Sequence, residues 1–82
     1  MGRGAQEIKN TQYTLRLDDT TNALYTYIGE SIPGTPTSEP GWRIKRMTNA
    51  DTTILWAKLG SEAKASADFN KIWDNRVSYT YQ

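Results

Sequence analysis

Apolar and polar residues alternate with period two along most of this chain, the signature of short β-strands with one side packed. From Gln12 to Leu17, Tyr13, Leu15 and Leu17 fall on one side and Gln12, Thr14 and Arg16 on the other. Asp18-Asp19-Thr20-Thr21-Asn22 then supplies turn chemistry, because Asp and Asn side chains bond nearby backbone and tolerate left-handed φ. Alternation resumes over Ala23–Ile28, where Leu24, Thr26 and Ile28 are expected to face the core and Tyr25 and Tyr27 to face outward. Two strands at this spacing predict a hairpin.

All three prolines, Pro33, Pro36 and Pro40, lie between Gly29 and Gly41 with three of the six glycines. Proline has no amide hydrogen for a ladder, so this stretch reads as a loop. Trp42–Met47 reads as the next strand, with Trp42, Ile44 and Arg46 opposite Arg43, Lys45 and Met47. A turn at Thr48-Asn49-Ala50-Asp51 and a strand over Thr53–Ala57 complete a second hairpin. Ser61–Ala65 is helix-compatible but short for an independent helix. The i, i+3, i+4 spacing of Phe69, Ile72 and Trp73 predicts one helical turn. Arg76–Tyr81 reads as the closing strand, with Val77, Tyr79 and Tyr81 on one side. The expected fold is all-β: a small antiparallel sandwich or open barrel of about five strands, with a short helical turn before the last. Residues 12–82 form that single domain. Residues 1–11, whose one large apolar residue is Ile8, form an extended N-terminal arm.

At 82 residues the chain has room for one core, and domains of this size commonly need a staple. Cys and His are both absent, which removes disulfides, thiolate chemistry and the usual zinc sites. Oligomerisation or docking on a larger partner is the staple that remains. Ten basic against nine acidic residues give a net charge of +1, far from the basic excess of a dedicated nucleic-acid binder. No apolar run approaches a membrane span, no signal peptide opens the sequence, and Gln6 stands where a myristoylation site wants Ser or Thr. Synthesis and assembly in a cytoplasm are expected.

Candidate chemistry is sparse. Asp18-Asp19 and Asp68/Asp74 are the carboxylate pairs to test for acid–base work, but no nucleophile motif or phosphate loop accompanies them, so no enzyme and no cofactor are expected. Trp42, Trp56 and Trp73, with Asp74, Asn75 and Glu30, offer a carbohydrate platform; packing as core anchors is the competing and favoured reading. Arg46 shares a side with Trp42 and Ile44, and either lies over an indole at a strand end or pairs with Asp74. Asp74 and Arg76 can pair with each other at the junction before the last strand. Ile8, Tyr25, Tyr27, Tyr79 and Tyr81 are the expected contact residues for neighbouring subunits.

Tyr27-Ile28-Gly29-Glu30, Gly34, Thr37-Ser38, Trp42-Arg43-Ile44-Lys45-Arg46, Ile54-Leu55-Trp56-Ala57 and Phe69-Asn70-Lys71-Ile72-Trp73-Asp74-Asn75-Arg76 follow one another in an order that resembles small virion proteins of tailed bacteriophages. The resemblance spans residues 25–81. Members commonly carry a Gly-rich acidic turn after the Trp-Ala pair, where this chain has Lys58-Leu59-Gly60-Ser61 and an Ala/Lys-rich insert. The resemblance implies a structural component of a virion (decoration protein, tail or fibre part, or adaptor), assembled in host cytoplasm through contacts with copies of itself and other virion proteins. It brings no catalytic residues. A carbohydrate-binding module for host-surface glycans is the alternative.

Overall fold

In a computed structural model, residues 12–82 are described. The arm over residues 1–11, with Ile8, lies outside the described residues. The elements are β1 (Thr14–Asp18), β2 (Tyr25–Ser31), β3 (Pro40–Thr48), β4 (Ile54–Lys58), β5 (Lys71–Ile72), a 3-10 turn over Trp73–Ser78, and β6 (Thr80–Tyr81). All pair antiparallel in one sheet of order β1-β2-β3-β4-β6, and β5 pairs with the start of β3. The all-β expectation therefore holds, with the sheet left open rather than closed into a barrel.

Register fixes the two faces, because side chains opposite one another across antiparallel strands share a side. One face carries the rows Asp18–Tyr27–Arg46–Leu55, Arg16–Gly29–Ile44 and Thr14–Ser31–Trp42–Lys71. The other carries Leu17–Ile28–Lys45–Trp56, Leu15–Glu30–Arg43 and Thr26–Met47–Ile54. The first is the packed face. Its core is Tyr27, Trp42, Ile44, Ala57, Trp73 and Tyr81, with Tyr25, Leu55 and Tyr79 packed against it.

The 3-10 turn lays Trp73 over this face, directly above Gly29, where the absent side chain leaves room for the indole. Trp42 and Trp73 meet at 5.9 Å between ring centroids. Arg76 lies over Trp73, 4.6 Å from its ring centroid, and is tied by Nε to Asp18 Oδ2 at 2.9 Å. The turn is thus clamped to β1 across 58 residues of sequence. At the β3–β5 junction Gly41 takes a φ of +134°, a conformation that favours glycine, and the register shifts between Pro40 and Trp42.

Several expectations need correction. β2 runs on through Gly29 to Ser31, so the proline-bearing loop is confined to residues 32–39. Its core side is the tyrosine side: Tyr27 is buried, Leu24 is exposed in the preceding turn, and Ile28 faces the open side. Leu15 and Leu17 are exposed for the same reason. Alternation states which residues share a face, and it is the indole lid that decides which face is covered. Ser61–Ala65, short for an independent helix, forms none, and the helical turn before the last strand is present over Trp73–Ser78; Phe69 and Ile72 lie outside that turn, Ile72 in β5. Only Thr80 and Tyr81 of the expected last strand are extended in the sheet; Arg76, Val77 and Ser78 lie in the turn.

Two loops are held by polar contacts. Trp42 Nε1 donates to the Pro36 carbonyl at 3.0 Å and Asp74 N to that of Thr37, which pins loop 32–39 to the core. Loop 59–70 is organised around Glu62, which accepts from Leu59 N, Ser66 Oγ, Asn70 Nδ2 and Lys71 Nζ. Lys71 is fully buried, and its ammonium also donates to Asn70 Oδ1 at 2.8 Å and Ser66 Oγ at 3.1 Å. A buried cation is tolerated only when paired and bonded in this way.

Candidate docking face

The unpacked face sets apolar side chains among charged ones. Leu15, Leu17 and Ile54 are 57%, 65% and 47% exposed, with Ile28, Met47 and Trp56 half-buried among them. These residues come from four adjacent strands, so the patch is held by the sheet rather than by a loop. At one end Tyr13 and Phe69 meet at 5.3 Å, and the Arg43 guanidinium lies 5.0 Å and 4.8 Å from their rings. Arg43 also binds Glu30 Oε1 at 2.7 Å, which neutralises the one carboxylate that the strands place on this side. Lys45 sits 5.3 Å from the Trp56 ring, and alternation puts Lys58 on the same side. Neither lysine has a carboxylate partner among the described residues. The face is therefore apolar with a net positive charge.

The residues expected to make contacts are distributed differently. Tyr27 and Tyr81 are core residues, and Tyr25 and Tyr79 pack half-buried against them. Tyr81 Oη donates to the Arg76 carbonyl at 2.6 Å, and Tyr79 Oη accepts from Ile72 N at 2.8 Å. Burial pushes the Tyr81 phenol well above its usual range, with Tyr27 adding to the shift and Arg46 opposing it. Tyr27 and Tyr81 are thus core residues, whereas Tyr25 and Tyr79 keep part of their rings exposed.

The three indoles do not line up either. Trp42 and Trp73 are buried on the packed side, and Trp56 lies on the opposite face. Asp74 and Asn75 are exposed on the 3-10 turn, away from Trp56. A platform of three indoles with those polar partners is not assembled. Arg46 lies over Tyr25 and Tyr81 rather than over an indole or beside Asp74. Arg76 pairs with Asp18 rather than Asp74.

Asp18 is unsuited to proton donation. Hydrogen bonds from Thr21, then Arg76 and the backbone of Thr20 and Thr21, hold its carboxyl far below the usual range against the opposing effect of burial. Among the described residues no three carboxylates converge as metal ligands, no concave pocket is formed, and no helix is long and apolar enough to cross a membrane.

Leu15, Leu17 and Ile54 were missed as surface residues. The signal was in β3, whose Arg43 and Lys45 mark the solvent side and whose register with β2 carries that side to Ile28 and Leu17. Comparison with protein families, with characterised proteins and with solved structures finds no match to this chain.

Proposed function

We propose that this chain is a non-catalytic structural module of a phage virion, which seats the open face of its sheet on a different virion protein. The observation that carries the reading is the open sheet face, where Leu15, Leu17 and Ile54 are exposed and Ile28, Met47 and Trp56 half-buried. An apolar patch of a few hundred Å² is about the largest that a monomer usually exposes, and such a patch is often functional. The virion setting rests on the resemblance of residues 25–81 to small phage proteins, and it places assembly in the host cytoplasm.

Charge selects the occupant. Stacking two copies of this face would bring four lysines, Lys45 and Lys58 of each, into one interface, and the one strand carboxylate on it among the described residues, Glu30, is already bound by Arg43. A different protein with an apolar surface and unpaired carboxylates fits better. Four strands at about 4.8 Å spacing and five residues at about 3.3 Å give a footprint of roughly 300 Å², below the roughly 800 Å² per partner of a standard interface. A single contact is accordingly weak, and many copies on one particle supply the avidity.

The test uses particles purified from cells infected with phage carrying this gene. Wild-type protein should co-purify at fixed stoichiometry. Leu17→Ser and Ile54→Ser, whose side chains are already exposed, should fold with stability within about 0.5 kcal/mol of wild type yet be depleted from particles. Full incorporation of folded Leu17→Ser and Ile54→Ser proteins, or absence of the wild type from particles, overturns the reading.

A further inference from the structure

A second feature lies on the opposite, packed side of the sheet and does not depend on the docking face. Arg46 carries a charge into the tyrosine cluster. Its guanidinium carbon is 4.0 Å from the Tyr25 ring centre and 4.7 Å from that of Tyr81. Its Nε is sealed from solvent and meets no acceptor. The three ion pairs among the described residues are Arg43–Glu30, Lys71–Glu62 and Arg76–Asp18, and none involves Arg46.

Cross-strand register puts Asp18 in the same row as Arg46, two strands away beyond Tyr27. That carboxylate cannot turn to Arg46, because Arg76, Thr20 and Thr21 occupy its oxygens. Arg46 has thus lost part of its hydration to a buried Nε and two rings, whose faces attract the cation, with no anion among the described residues paired to it. Such a charge is costly to hold and gains strongly when a counter-ion arrives at its open edge.

We infer that Arg46 is a binding site for a carboxylate of a protein partner, gripped by the two terminal guanidinium nitrogens while Tyr25 and Tyr81 fix the plane of the fork. The geometry suits a planar, singly charged carboxylate, which a guanidinium binds through two parallel hydrogen bonds. A nucleic-acid backbone would need a track of several cations, and β3 offers one unpaired cation on this side. The carboxylate can come from an Asp or Glu side chain or from a chain terminus, and both present the same group.

The test is an NMR titration of the full chain at constant ionic strength, reading the Arg46 side-chain N–H signals and the Tyr25 and Tyr81 ring signals. Three probes are used: a blocked tripeptide with a central glutamate, a tripeptide with a free C-terminal carboxylate and no acidic side chain, and sodium chloride. Saturable shifts confined to these three residues are expected with one or both peptides and not with chloride. The peptide that acts tells side chain from terminus. Arg46→Lys keeps the charge but loses the fork, and should bind at least tenfold more weakly; Arg46→Met should not bind. Leu17→Ser, which disables the docking face, should bind as the wild type does, so the two sites fail separately. Undiminished binding by Arg46→Lys and Arg46→Met overturns the inference. So do wild-type shifts spread over Lys45, Lys58 and Lys64, or shifts of equal size with chloride, and these readings stand even if the variants do not fold.

Discussion

Gly29→Ala is the substitution that most sharply probes how the indole lid meets the sheet. A Cβ at position 29 would lie 2.4 Å from Trp73 Cε3, 2.5 Å from Trp73 Cζ3 and 3.3 Å from Trp42 Cε3. Carbon atoms rest at about 3.5–4.0 Å, so the indole must retreat by roughly 1–1.5 Å. It has little room to do so, packed against Trp42 and under Arg76, itself anchored to Asp18. Overpacking alone costs about 1–3 kcal/mol. Partial expulsion of the indole adds some of the 3–5 kcal/mol that removing a buried tryptophan costs. We expect a loss of about 2–4 kcal/mol, and a melting temperature lower by about 8 °C or more, since 1 kcal/mol is worth about 4–8 °C in a domain of this size. The assay is urea unfolding followed by tryptophan fluorescence. Gly60→Ala is the control: a Cβ there meets nothing within 4 Å, so the change should be neutral or stabilising by about 0.4–1 kcal/mol. A Gly29→Ala protein within about 0.5 kcal/mol of wild type would refute the close approach of Trp73 to the strand.

Further outcomes follow from individual contacts. Glu62 titrates at about 2, below its ordinary 4.5, chiefly through the Leu59 backbone N–H and then Asn70, Ser66 and Lys71, against burial. A depressed carboxyl stabilises fully above its unfolded value, so the urea midpoint should start to fall below about pH 4.5 and continue down through about pH 2. Glu62→Gln should flatten part of that slope, and an unchanged profile would count against the Glu62 cluster. Thr52 holds a left-handed φ of 59°, unfavourable for a β-branched residue, so Thr52→Asn should raise stability by about 0.5–1 kcal/mol in thermal unfolding. Trp42→Phe removes the donor to Pro36 O and leaves a void beside Trp73, so it should cost about 2–4 kcal/mol and speed proteolysis within residues 32–39.

The strands were legible because alternation is local. β1, the start of β2, β3 and β4 all lie where the side-chain pattern puts them. The facing of the sheet was not, because it depends on register carried across the loop between β2 and β3. Treating Gly29–Gly41 as one loop hid the pairing of Ser31 with Trp42 and of Ile28 with Lys45. With that pairing in hand, the charges of Arg43 and Lys45 mark the open face. Two features had no local signal at all. The Asp18–Arg76 tie joins residues 58 positions apart. The Lys71 ammonium finds its partners in a loop without regular structure, where spacing predicts nothing. Phe69 shows the converse hazard: its helical spacing to Ile72 and Trp73 is incidental, and it stacks on Tyr13 at the open face instead.

The most direct measurement is hydroxyl-radical footprinting, read by mass spectrometry, of the free chain and of the same chain in purified particles. In the free chain Leu15, Leu17 and Ile54 should be oxidised readily, and Tyr27, Trp42 and Ile44 should be protected. In particles Leu15, Leu17, Ile54 and Trp56 should become protected together. Reactive Tyr27 and Trp42 beside protected Leu17 in the free chain would contradict the assignment of the two faces. Leucines that stay equally reactive after assembly would contradict docking through the open one.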